Sequence, residues 1–240
     1  MRIRIAWLFL SAVLGALPLS VGAQGPPDTT HGVREFVASG TWRVPAGVER
    51  ITIELWGGGG GGAGGASALA NGGPGGGGGG GGSGAYIRAS LSVREGETYT
   101  ISIGAAGAAG RGESRNAAQP GGDGGDSTLS RNGNLLLVAH AGSGGSPPRR
   151  RGYNGGAGGT GGEALATEGI LVRQGNSGTP GHDASFNDEA RATSGGRGGP
   201  AVLGTLQPPG SFGGNGGAGS SFSDAPDGQP GGTGSAVISW

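Results

Sequence analysis

The sequence predicts an all-β framework that carries a bundle of short polyglycine-II helices, and three observations predict it. Gly supplies 64 and Pro 14 of the 240 residues, a composition that excludes an ordinary globular enzyme as the default reading. Short stretches of apolar alternation with a period of two recur after residue 34, with no convincing helical periodicity between them. The glycines that separate those stretches keep a period of three.

The first 23 residues stand apart from this pattern. Arg2 and Arg4 precede an apolar run from Ile5 to Leu17, and Val21-Gly22-Ala23 places small residues where a signal peptidase needs them. This is the pattern of a secretory signal peptide, cleaved after Ala23; the run is too short for a bilayer span. The mature chain is then expected to be secreted, extracellular or periplasmic, with no membrane span after cleavage. Residues 24–33 read as a flexible lead-in, and residues 34–240 as one glycine-rich domain.

Strands are expected at residues 34–38 around Phe36, at 41–44 and at 48–56. In the last of these, Ile51, Ile53 and Leu55 point one way and Arg50, Thr52 and Glu54 the other. Pro45-Ala46-Gly47 reads as a turn. Residues 86–93 and 99–103 alternate in the same way, and Arg94-Glu95-Gly96-Glu97 between them predicts a β-hairpin. Residues 135–139, 170–173, 201–203 and 236–240 add shorter candidates. Trp42 and Trp56 are expected to close a core, Trp240 with less reason.

The glycine segments lie between these strands. Read in threes they give Gly104, Gly107 and Gly110, then Gly152, Gly155, Gly158 and Gly161, then Gly175, Gly178 and Gly181, with further sets at 213–219 and 228–234. A helix with three residues per turn makes no internal hydrogen bonds. Its amides must find partners on neighbours, and only Gly lets two backbones come that close. Residues 75–82 are eight consecutive Gly, with no side chain on any face, and are expected near the centre of a bundle. Flexible loops around a sandwich are the competing reading, because Gly-rich chains are linkers by default and ordering them costs backbone entropy.

Gly40-Thr41-Trp42-Arg43-Val44-Pro45-Ala46-Gly47-Val48, leading to Ile53-Glu54-Leu55-Trp56-Gly57-Gly58, resembles the glycine-rich domain of bacterial secreted and phage tail-associated proteins. The resemblance continues through residues 93–104 and 121–127 to Val237-Ile238-Ser239-Trp240. The chain is also similar to the extracellular glycine-rich region of the anaplastic lymphoma kinase group of receptors. That resemblance implies a jelly-roll-like β-sandwich with inserted glycine helices and a small protein ligand. No kinase or phage-assembly segment accompanies the pattern here.

Chemistry is sparse. Sixteen Arg, no Lys and sixteen acids give a formal net charge of zero, which removes the footprint of a nucleic-acid binder. Cys is absent, so disulfides and thiolate metal sites are excluded. His31, His140 and His182 stand outside any nucleophile or metal pattern, no G-x-S-x-G elbow exists, and G-x-G-x-x-G matches follow from composition. No cofactor and no enzymatic activity are expected. Asp123 and Asp126, in Gly121-Gly122-Asp123-Gly124-Gly125-Asp126, offer hard oxygen ligands for calcium; the alternative is two outward carboxylates on a glycine helix. Arg149, Arg150 and Arg151 after Pro147-Pro148 could fork onto an anionic polysaccharide or phosphate, or form a solvated, protease-sensitive loop. The expected function is a non-enzymatic structural, adhesive or surface-recognition module whose partner is a cell-surface or matrix polysaccharide or a protein. The alternative is a domain that binds one specific protein. Ice binding is disfavoured by the mixture of Asp123, Asp126, Glu163 and Arg197 with Thr160 and Thr233 at outward positions.

Overall fold

The computed structural model describes residues 31–67, 73–114, 117–149, 153–164, 170–184, 193–204, 211–220 and 224–240. The expected signal peptide, and the lead-in up to residue 30, lie outside the described residues.

Among the described residues the regular structure is all-β: β1 (Val33–Phe36), β2 (Gly40–Arg43), β3 (Arg50–Trp56), β4 (Tyr86–Ser92), β5 (Thr98–Ser102), β6 (Ser127–Arg131), β7 (Asn134–Ala139), β8 (Ile170–Arg173) and β9 (Ser235–Ser239). They form two antiparallel sheets, a five-stranded one ordered β1-β9-β3-β4-β8 and a four-stranded one ordered β2-β5-β6-β7. The alternation read from the sequence becomes the shared core of a sandwich. Ile51, Ile53 and Leu55 of β3, Ile87 and Ala89 of β4 and Ile238 of β9 pack with Trp42 of β2, Tyr99 and Ile101 of β5, Leu129 of β6 and Leu137 of β7.

Four readings are corrected. Residues 86–93 and 99–103 do not form a hairpin: β4 pairs with β3 and β8, whereas β5 pairs with β2 and β6. The Arg94–Glu97 link therefore crosses between sheets, and its turn, with Gly96 at φ 80°, docks on Val44 through Gly96 N–H to the Val44 carbonyl and Val44 N–H to the Glu97 carbonyl. Both strands turn an apolar face to the same core, so their alternation is compatible with either pairing. The lead-in ends earlier than residue 33, since Val33 pairs with Ser239 and Gly32 exchanges two backbone hydrogen bonds with Trp240. Residues 201–203 form no strand. Glu54, expected in solvent, is buried at 4% exposure. Val202 covers that outer face of the five-stranded sheet, packed with Trp56, Tyr86 and Val237, and the Trp56 indole N–H donates to the Val202 carbonyl at 2.8 Å. Burial first, then the adjacent Glu54 carboxylate and its hydrogen bond, push the Tyr86 hydroxyl up to about 12.

The glycine segments carry no strand ladder of their own, and their amides bond across to neighbours every third residue. Segment 57–67 is buried throughout. Gly58, Gly61 and Gly64 donate to Gly125, Gly122 and Gln119; Gly59, Gly62 and Gly65 to Gly232, Gln229 and Pro226; Gly60, Ala63 and Ala66 to Gly82, Gly79 and Gly76, all at 2.8 to 3.1 Å. Its carbonyls accept from segments 104–113, 142–145 and 214–220 with the same period. Segment 75–84, also buried, donates to the segments around Ser143, Thr179 and Gly214 and accepts from those around Ala63, Gly159 and Gly196. Each of these two segments thus meets six neighbours, one of them the other. They share 140–146 and 211–220, so eight outer segments enclose two central ones, the count that hexagonal packing of parallel rods requires. The run at 75–82 is central, as its composition predicts. The close approach is what demands glycine: a Cβ on Gly79 would overlap the Ala157 carbonyl, and one on Gly158 the Gly178 carbonyl.

Candidate functional site

The perimeter of this array sets up its polar chemistry. An outer segment cannot find a backbone carbonyl for every amide, because one side has no neighbour. Side-chain oxygens complete the count. Asp123 Oδ1 accepts from Gly144 N–H at 2.8 Å and Asp126 Oδ1 from Ala141 N–H at 2.8 Å. Asp183 accepts from Gly155 and Asp227 from Gly112, both at 2.7 Å, and Asn215 from Gly198 at 2.9 Å. Ser143 Oγ accepts from Thr160 N–H at 2.7 Å, and Thr179 Oγ1 from Arg197 N–H at 2.7 Å. Short Asx, Ser and Thr side chains reach an amide one segment away, as they do at helix caps and turns.

Three adjacent outer segments, 119–126, 140–146 and 154–163, line an open cleft of about 360 Å³. Asp123 and Asp126, three residues apart, stand on one wall and Thr160 and Glu163 on the other; His140 and Ser143 come from the middle segment. His140 Nδ1 lies 3.0 Å from Asp126 Oδ2, so each Asp126 oxygen has a partner. Ser143 Oγ is also 3.0 Å from Thr160 Oγ1, which ties that hydroxyl to the next segment. The result is a concave polar surface with three carboxylates and one imidazole, suited to hydrogen bonding and to attracting positive charge.

The structure thus brings Asp123 and Asp126 to the same face, where each carboxylate is already bonded to a backbone amide. Among the described residues no three His, Asp or Glu side chains converge in the manner of a metal shell. Arg149 is exposed, and Arg150 and Arg151 lie outside the described residues. His140, Ser143, Thr160 and Glu163 were not singled out together by the sequence, because they sit on different segments; the period of three predicts only which residues within a segment share a face.

A second polar cluster lies beside the link between the sheets. A backbone hydrogen bond from Arg94 N–H, then the Tyr99 hydroxyl and the Arg131 guanidinium, hold Glu97 below the usual carboxylate range. Burial raises the Tyr99 hydroxyl. These groups fasten β5 and β6 to the crossing turn.

No helix among the described residues is long and apolar enough to cross a membrane. No curated protein matches the sequence. The model of the glycine-rich domain family matches residues 35–240, which takes in every strand from within β1 to β9 and all the glycine segments between them, and the chain belongs to that family.

Proposed function

We propose that the chain is a secreted, non-enzymatic surface-recognition module in which a jelly-roll-like sandwich holds a bundle of polyglycine-II helices, and the outward side chains of that bundle meet a cell-surface or matrix polysaccharide or a protein. The observation that carries this reading is the period-three cross-bonding of two buried glycine segments by eight others. A helix of three residues per turn with no internal hydrogen bonds requires that arrangement. The two central segments have their backbone committed on all sides, which makes the bundle a rigid support for side chains at regular intervals. The leader-like residues 1–23 and the absence of Cys fit export without disulfide bonds.

Two features supply contact chemistry. The cleft of Asp123, Asp126, His140 and Glu163 offers acceptors to hydroxyl-rich or cationic groups, and the Arg149, Arg150 and Arg151 run pairs with anionic ones. The test is sedimentation of residues 24–240 with cells, with isolated envelope polysaccharide and with buffer alone. Saturable pelleting with cells or polysaccharide, reduced when Arg149, Arg150 and Arg151 are replaced by Ala, is the expected result. Full recovery in the supernatant in every arm overturns the reading.

A dedicated protein partner is the second reading. It is favoured by an apolar gap between the edge strands β7 and β8, lined by Ile87, Leu136, Leu137, Ile170 and Val172, with Leu136 37% exposed. Failure to sediment with polysaccharide combined with saturable capture of one protein supports it.

A further inference from the structure

Five Asx–Gly pairs lie among the described residues: Asp123–Gly124, Asn132–Gly133, Asn154–Gly155, Asn215–Gly216 and Asp227–Gly228. Such a pair can react with itself, because a following glycine has no Cβ to hinder its own backbone nitrogen from reaching the Asx carbonyl carbon. By sequence these three Asn–Gly pairs, and Asn71–Gly72 outside the described residues, are equivalent. The structure makes them different.

Four of the five hold the glycine amide in a hydrogen bond between segments. Gly124 N–H donates to the Gly142 carbonyl at 3.0 Å, and Gly216 and Gly228 to the Gly196 and Gly110 carbonyls at 2.8 Å. Gly155 N–H donates to Asp183 Oδ1 at 2.7 Å. Some of the side chains are pinned as well: Asn215 accepts from Gly198 and donates to Gln229 Oε1, both at 2.9 Å. Attack would require the segment to leave its neighbours.

Asn132–Gly133 is placed otherwise. It forms the two-residue turn between β6 and β7, with Asn132 at φ 50° and Gly133 at φ 79°, the left-handed pair that a tight hairpin needs. Both residues are exposed, and a Cβ built on Gly133 meets nothing within 4 Å. Neither the Gly133 N–H nor the Asn132 side chain makes a hydrogen bond with the described residues.

We propose that Asn132 is a self-modification site, at which the chain deamidates through a succinimide, while the glycine array keeps Asn154 and Asn215 unreactive. The Gly133 backbone nitrogen loses its proton and forms a bond to Asn132 Cγ. The Cγ–amide nitrogen bond breaks and ammonia leaves. Water then opens the ring at either carbonyl, giving aspartate or isoaspartate. No oxidant, reductant or enzyme is required. The product places a new negative charge beside Arg131, which already contacts Glu97 at 3.3 Å. In its isoaspartyl form it also lengthens a two-residue turn by one backbone carbon, disturbing the β6–β7 register.

The test is peptide mapping by mass spectrometry, with isoaspartate detection, of the folded mature chain aged in mildly alkaline buffer and of the same chain in urea. In the folded chain Asn132 is expected to convert at least about tenfold faster than Asn154 or Asn215, since a local opening cost of only about 1.4 kcal/mol already gives that factor. In urea the three rates should converge. Asn132→Gly, which preserves a turn-compatible pair, should remove the fast conversion and leave the slow ones unchanged. Conversion at Asn154 or Asn215 as fast as at Asn132 in the folded chain overturns the proposal. So does selectivity that persists unchanged in urea, because local sequence would then be its cause.

Discussion

The sandwich and the glycine array are two halves of one chain that stay ordered for different reasons. The sandwich follows the usual logic: alternating Ile, Leu and aromatic side chains leave water, and the free energy comes from apolar area. In the array almost nothing apolar is buried. Segment 57–67 contributes two alanine methyl groups, Ala63 and Ala66, and segment 75–82 contributes no side chain. What it buries is backbone, with its amides bonded to other segments. Each bond adds little net stability, but a buried amide left without a partner is costly. Such an array is therefore cooperative, because loosening one segment strips partners from several. The strands supply what the array lacks, since each group of glycine segments starts and ends on a strand that fixes its position and lowers the entropy it must lose.

The comparison is broken most severely at the centre. Gly79 donates to the Ser146 carbonyl, accepts from Ala63 and faces Ala157, so one residue touches three segments. Gly79→Val should force those segments apart and destabilise the protein by more than about 4 kcal/mol, in the range reserved for loss of packing and hydrogen bonds together. Thermal melting followed by circular dichroism reads this directly; an unchanged melting temperature would show that the array does not contribute to the stability of the fold.

How much of this was legible beforehand differs between the two halves. β3, β4 and β9 are plain in the alternation of residues such as Ile51, Ile53 and Leu55, and the central place of residues 75–82 follows from their lack of side chains. The partition of strands into sheets was not legible, because Tyr99 and Ile101 would face the core from either sheet. β6 is hard to read although Asn132-Gly133 is a strong hairpin signal, because its own strand, Ser127–Arg131, has only Leu129 to mark it. Glu54 was misplaced because the residue that covers it, Val202, is bonded to Trp56 from 146 positions away. The cleft was half visible: Asp123 and Asp126 share a face by their spacing, while His140 and Glu163 arrive there only through the packing of segments.

Heat capacity sharpens the contrast without any mutation. Unfolding exposes apolar surface, which raises the heat capacity, and polar backbone, which lowers it. Ordinary globular chains give about 12–15 cal/mol/K per residue. A protein with a large share of its buried surface in glycine backbone should fall below about 10 cal/mol/K per residue on the same scale. Calorimetry at several pH values measures the quantity as the slope of unfolding enthalpy against melting temperature, and an ordinary value would mean that the array is not ordered in solution.

The smallest effect isolates the perimeter. If Asp126 serves as an acceptor for Ala141 N–H, Asp126→Ala leaves that amide to solvent at an exposed position and should cost about 1 kcal/mol. Asp126→Asn keeps a side-chain oxygen in the same place and should recover most of that loss. Hydrogen exchange at the Ala141 amide separates this role from a general effect of charge: exchange should quicken in the Ala variant and stay near the wild-type rate in the Asn variant. Equal exchange in both would assign the carboxylate's contribution to its charge and its pairing with His140, 3.0 Å away. The amide of Gly144, held by Asp123 on the same segment pair, provides the internal reference. If it too quickens in Asp126→Ala, the two segments separate as a unit, and the perimeter shares the cooperativity of the centre.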